Sequence, residues 1–321
     1  MRFRISLALF VLCFKFSLFS HAQPQTPSEE VVEIVVLQDT LVQKVIQDIT
    51  LYQEKWDTLA QMKFWRRVMK LTPDSSLLNI ADTREILHVF PTMYYDTLTT
   101  EAKRAFKDSM LHRFKLPEDT RLYVTYGKSH FYQHKAVMQS INRGIEIFEQ
   151  EGTDPWFAQA ILLIESPGKL AQSPTGAYGS FQLMKSVAIQ EGLTVNSKVD
   201  EREDFDKSAQ AAARFIQRVC LPETRKILHA RGIHFEEKDL WFRLLVLHVY
   251  HAGAGNVAGA LRTFYPQKGG MELIQKLWSA EYRGFRNASQ NYSQVALASF
   301  LELDEIIANE CNIICPSEND G

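Results

Sequence analysis

Glu165 is the only charged residue between Asp154 and Lys169, and it follows the apolar run Ala160-Ile161-Leu162-Leu163-Ile164. A carboxyl group there is expected to be dry, and desolvation disfavours its charged form. A place at a helix C-terminus adds the negative end of the helix dipole, which acts in the same direction. Both effects favour a protonated acid near neutral pH, the form that can give a proton to a glycosidic leaving oxygen. Taken alone, a glutamate at a helix end is more often a solvated cap, so the neighbours have to decide.

Two downstream segments supply them. One reads Ser173-Pro174-Thr175-Gly176-Ala177-Tyr178-Gly179-Ser180-Phe181-Gln182-Leu183-Met184, and the other Tyr250-His251-Ala252-Gly253-Ala254-Gly255-Asn256-Val257. In this order, Glu165-Ser166, Ser173, Gly176-Ala177, Gly179, Gln182, Met184, then Tyr250, Ala252 and Gly253 resemble the lytic transglycosylase (SLT) domain, a goose-type-lysozyme-like fold. Several ordered motifs are far more specific than any one of them. Val199-Asp200-Glu201-Arg202, Ala211-Ala212-Ala213 and Ser289-Gln290-Asn291-Tyr292 are similar to the membrane-bound lytic murein transglycosylase D branch. The chain departs from the pattern in three places. One residue fewer separates Glu165 from Ser173, Ser180-Phe181 precedes Gln182, and His251 stands where the family has asparagine.

The resemblance implies a function and a set of roles. Glu165 would protonate the oxygen linking N-acetylmuramic acid to N-acetylglucosamine, then act as base on the muramic C6 hydroxyl, which closes a 1,6-anhydro ring without consuming water. The substrate's acetamido oxygen can shield the positive centre, so one carboxylate suffices. Ser173 and Gln182 would bind sugar and acetamido groups, Met184 and Phe181 would line the cleft, and Tyr250 and Tyr292 would orient Glu165 or the sugar. No cofactor and no metal is implied, and the partner is the glycan strand of peptidoglycan. A goose-type hydrolase using an aspartate-activated water, and a non-catalytic wall-binding protein, are the alternatives on the same fold. His251 reads as a helix-terminal histidine rather than a base, since no serine or cysteine nucleophile stands in a recognisable motif. The acidic run Asp200-Glu201-Arg202-Glu203-Asp204 reads as a loop held by charge pairs.

Helices must position these residues, and the expected fold class is mainly α: a lysozyme-like catalytic domain over 136–310 after a mostly helical region over 23–135. Thr153 and Asp154 are expected to cap a helix with Pro155 at its first position, ended by Pro167-Gly168. Further helices are expected over 186–191, 207–230, 239–252, 271–277 and 289–310, with Gly253 stopping the fourth. Upstream, apolar residues from Ile34 to Val68 recur at helical spacing and predict one or two long helices over 31–70. Helices are also expected over 76–88 and 100–114, and residues 122–126 alternate as the one strand.

Composition excludes little else. The chain has 321 residues, 45% hydrophobic and 23% charged, with 36 basic against 38 acidic side chains. A net charge of -2 gives no global field for nucleic acid, so no nucleic-acid partner is expected. Arg2 and Arg4 ahead of an apolar run ending at Ser20-His21-Ala22 have the layout of a signal peptide over 1–22, and Lys15 argues against a spanning helix. An exported, periplasmic protein is expected, with association to the outer envelope as a further expectation. Leu12 before Cys13 argues against a lipid anchor. The remaining Cys220, Cys311 and Cys315 are odd in number and leave at least one thiol unpaired.

Overall fold

The computed structural model describes residues 29–36, 41–165 and 172–314. The signal segment with Cys13, the helix stop at Ser166, Pro167 and Gly168, and Cys315 lie outside these residues, as does the 311 side chain.

The protein is mainly α, and among the described residues strands occur only in its N-terminal half. In chain order the first part runs β1 (Glu29–Val36), β2 (Leu41–Asp48), α1 (Thr50–Gln53), α2 (Ala60–Lys70), β3 (Ser75–Ile80), β4 (Ile86–Pro91), α3 (Thr92–Asp96), α4 (Thr100–Phe114) and β5 (Leu122–Tyr126). The second part is helical: α5 (His134–Gln150), α6 (Trp156–Glu165), α7 (Lys185–Gln190), α8 (Phe205–Phe215), α9 (Leu221–His229), α10 (Leu240–Ala252), α11 (Ala254–Leu261), α12 (Met271–Leu277) and α13 (Asn287–Ile314).

The long helices expected over 31–70 give way to an antiparallel hairpin, β1 with β2, in register from Glu29 opposite Asp48 to Val36 opposite Leu41. The expected helix over 76–88 is likewise two strands, in a sheet of order β4-β3-β5. Strand 122–126 is therefore one of five among the described residues. The sequence explains the outcome: 31–36 and 42–46 are dense in Val and Ile, whose branched Cβ suits a pleated surface better than a helix. Long-range polar contacts then fix β2. The buried Gln159 amide of α6 accepts from the Ile46 N–H at 2.8 Å and donates to the Ile46 carbonyl at 2.7 Å. Asn142 of α5 accepts from the Lys44 N–H at 2.9 Å. Side chains on two helices thus satisfy backbone groups of a strand that would otherwise be buried unpaired.

The helical half follows its punctuation closely. Asp154 accepts from the Trp156 N–H at 2.9 Å and so starts α6. Gly253 (φ 81°) ends α10, in a conformation that costs a side-chain-bearing residue steric strain. The single helix expected over 207–230 is interrupted at Ile216–Cys220 by a π-helical turn. Pro222, in the first turn of α9, brings no N–H to the backbone ladder, which accounts for the break there.

One apolar core runs through both halves. Trp56, Phe64 and Val68 from the N-terminal part join Ile161, Leu163, Leu245, Leu297 and Phe300 from the helical part. Trp156 stacks on Phe300 with ring centroids 5.2 Å apart, and Trp56 meets Trp278 edge-on at 6.3 Å. α13 packs on α2, α6 and α10, and so bridges the two halves. A smaller cluster of Leu78, Phe90, Tyr95 and Leu122 sits between the three-stranded sheet and α4. No helix among the described residues is long and apolar enough to cross a membrane.

Candidate active site

α6 is buried along its whole length up to Ile164, and only its last residue, Glu165, reaches a cleft. The mean apolar character that drives α6 into the core therefore also determines where its terminal carboxylate surfaces. Glu165 is only partly accessible, and burial pushes its carboxyl up to about 7; the hydrogen bond from Tyr292 pulls the other way. That bond runs from the Tyr292 hydroxyl to Oε1 of Glu165 at 3.1 Å. The Tyr292 hydroxyl is itself held protonated by burial, well above its usual range.

Ser173, Gln182, Met184, Tyr250 and Tyr292 all line this same cleft with Glu165. Thr175, Val187, Phe215 and His251 complete much of its wall. The loop that carries Ser173 to Met184 is a compact hairpin: Tyr178 and Leu183 exchange backbone hydrogen bonds at 3.1 Å, and the Ser173 hydroxyl accepts from the Ala177 N–H at 2.9 Å. Gln182 takes a positive φ of 45°, and its side chain donates to the Gly179 carbonyl at 2.9 Å. Gly179 is the one residue type that fits its place. Its φ is 81°, and a Cβ there would lie 2.0 Å from the Arg202 carbonyl oxygen.

Arg202 is the fixed point of this loop. Its buried guanidinium donates to the carbonyls of Gly176 and Leu183, both at 2.9 Å, while Asp200 grips its other nitrogens at 2.9 and 2.6 Å. The guanidinium also lies over the Tyr178 ring at 5.3 Å. Asp200, the largest influence on it being that same Arg202, has its carboxyl held below the usual range. Glu201 pairs with Lys207 at 2.6 Å and accepts from the Thr194 N–H. The acidic run thus shapes the cleft wall without entering the cleft.

Several expected roles change on inspection of the contacts. Phe181 does not line the cleft; it is fully buried, stacked on Phe148 at 5.7 Å, because the hairpin turns it inward. The Tyr250 hydroxyl donates to the Phe181 carbonyl at 2.6 Å, so this tyrosine holds the loop, whereas Tyr292 holds Glu165. His251, where the resembled family has asparagine, stacks on the Tyr292 ring with centroids 4.3 Å apart. Burial lowers its pKa to about 4, so the ring is neutral at neutral pH and is poorly suited to serve as a proton donor. Cys220 is a buried free thiol, pushed out of its reactive range by burial.

Sequence reasoning passed over Tyr132 and Phe215. The Tyr132 hydroxyl, raised chiefly by burial, also feels the Glu165 charge, and Phe215 packs on Tyr250 at 5.7 Å. Neither stands in a motif, and only the fold brings Phe215 to the cleft and Tyr132 within reach of the Glu165 charge. Among the described residues no cluster of His, Cys, Asp and Glu could hold a metal ion. Among the described residues lining the cleft, Glu165 is the one carboxylate.

A carboxyl raised to about 7 at the edge of a partly apolar cleft and held by a tyrosine hydroxyl is able to give and take a proton near neutral pH. No curated protein and no solved structure matches the chain. Residues 144–270, which carry Glu165, the 173–184 loop and the Tyr250–Gly253 turn, match the family model described as the Transglycosylase SLT domain, and Tyr292 lies beyond that match.

Proposed function

We propose that this chain is a peptidoglycan lytic transglycosylase that cleaves the β-1,4 bond between N-acetylmuramic acid and N-acetylglucosamine and leaves 1,6-anhydromuramic ends. The observation that carries the reading is Glu165: an acid raised to about 7 and hydrogen-bonded by Tyr292, with no second carboxylate among the described residues lining its cleft. A single group then serves twice. Protonated Glu165 gives its proton to the leaving glycosidic oxygen, and the resulting carboxylate takes the proton of the muramic C6 hydroxyl as that oxygen closes on the anomeric carbon. A near-neutral pKa suits a group that must alternate between the two forms.

Ser173 and Gln182 present polar atoms at the cleft wall for the sugar and acetamido groups, and Met184, half-exposed at the start of α7, offers an apolar face. The likeness of Val199–Arg202, Ala211–Ala213 and Ser289–Tyr292 supports reading the chain as a relative of the membrane-bound lytic murein transglycosylase D branch, and Arg2 and Arg4 ahead of an apolar run support export to the periplasm for cell-wall remodelling. Substitution Glu165→Gln keeps the shape and removes the proton. It is expected to lower the release of soluble fragments from purified sacculi by at least about a thousandfold while strands still bind. Retained clearance by that variant would overturn the assignment.

A further inference from the structure

A second pocket, about 400 Å³, lies where the three-stranded sheet meets the first turns of α13, and the mechanism above does not use it. Its cations are Arg84, from the turn between β3 and β4, and Lys128, just after β5. Its walls include Tyr123 and Tyr126 of β5, and its amides are Asn287 and Asn291 of α13.

Arg84 is unusual for a cation. It is only 7% exposed, yet among the described residues no carboxylate pairs with it. Its Nη2 donates to Asn291 Oδ1 at 2.8 Å, and its guanidinium lies over the rings of Phe64 and Tyr123 at 5.3 and 5.8 Å. The nearby acids are taken: Asp82 pairs with Arg121 at 2.7 Å, and Asp96 accepts from the Tyr126 hydroxyl at 2.7 Å. Lys128 makes no side-chain hydrogen bond or ion pair among the described residues, and desolvation alone lowers its pKa. A buried guanidinium is normally paired, because leaving its charge uncompensated is costly. One buried cation and one at the pocket's open side, neither ion-paired among the described residues although Asp82 acts on Arg84 from a distance, are arranged to take an anion from outside. A planar guanidinium against aromatic faces is also the geometry that holds a carboxylate in two-point contact.

The pocket and the cleft are linked through neighbouring residues of the chain. Asn291 precedes Tyr292 on α13, and Tyr292 bonds Glu165. On the other side the Lys128 carbonyl accepts from the N–H of Tyr132, the residue that feels the Glu165 charge.

We propose that this pocket binds a carboxylate of the peptide stem borne by the same glycan strand whose sugars occupy the Glu165 cleft. The inference rests on the function proposed above and extends it to the substrate's decoration. The N-terminal sheet then acts as a reader of stems beside the catalytic helices.

The test uses the full chain carrying Glu165→Gln, which binds without cutting, and two probes: soluble glycan strands with free stem carboxylates, and the same strands with those carboxylates amidated. Calorimetry is expected to show about five- to tenfold weaker binding after amidation. Adding Lys128→Glu, an exposed position that leaves the core alone, should weaken binding of the free-carboxylate strands by a similar factor and erase the difference between the probes. Arg84→Gln should do the same, provided its melting curve matches the parent; Lys128→Glu decides the matter if it does not. Equal binding of both probes, or an unchanged affinity in Lys128→Glu, would overturn the proposal. The two readings fail separately. Anhydro products with carboxylate-blind binding would remove the pocket alone, and Lys128-dependent binding by an unsubstituted chain that cuts nothing would remove the enzyme alone.

Discussion

At the scale of single residues, Glu165 acts by being uncomfortable as an anion. Its carboxyl is raised from 4.5 to about 7 in the folded chain, mainly by burial. Below about pH 4 it is protonated in both folded and unfolded chains, and burial then costs little. As the pH climbs past 4.5 the unfolded chain ionises while the folded one holds its proton, so stability is lost until about pH 7, where the folded form ionises too and the loss levels off. Glu165→Gln removes this liability. We expect the variant to be more stable than the parent at pH 8 by roughly 1–3 kcal/mol, after allowing for partial solvent contact, and equal to it at pH 4. Denaturant unfolding at the two pH values checks this, and equal stabilities at pH 8 would mean that the carboxyl is not raised. The same value places a limb in the activity profile: turnover should fall as pH rises above about 7, where the acid is lost before it can donate.

At the scale of elements, the cleft depends on one loop pinned at one arginine. A methyl group at Gly179 would meet the Arg202 carbonyl at 2.0 Å, in a backbone region closed to most side chains. Gly179→Ala is therefore expected to cost about 2–4 kcal/mol and to lower Tm by roughly 5–10 °C, with activity falling further than folding, as calorimetry and turnover assays would show. Gln159→Leu tests a different joint. It leaves the Ile46 N–H and carbonyl buried without partners, and a loss of about 2–4 kcal/mol is expected in denaturant unfolding. How much of this was readable in the sequence divides along physical lines. The start of α6 at Asp154, the stop of α10 at Gly253 and the ordered cleft residues were legible, because caps, glycines and motifs are local signals. The hairpin of β1 and β2 was not, since its apolar spacing also fits a helix and its decisive contacts, Gln159 to Ile46 and Asn142 to Lys44, span about a hundred residues. Phe181 was misplaced for the same reason: only the folded hairpin says which side of the loop faces the core.

At the scale of the whole molecule, the N-terminal part is built into the helical half. Trp56, Phe64 and Trp65 lie in the shared core, Trp65 donates to Gln294 of α13 at 3.1 Å, and Arg66 bridges Glu302 and Glu305. A chain beginning at residue 130 would expose that surface, and we expect it to be insoluble or to lack a cooperative melt by circular dichroism. A stable, active fragment would show that the two halves fold independently. Shared core also explains why Tyr292, outside the matched segment, can hold the acid at the end of α6: α13 packs on α2, α6 and α10. That one carboxylate acts as acid and then as base is tested most directly by mass spectrometry of fragments released from purified sacculi in water enriched in ¹⁸O. 1,6-Anhydromuramic ends without incorporated label are expected, whereas reducing ends carrying ¹⁸O would contradict a lone acid and base and identify a hydrolase.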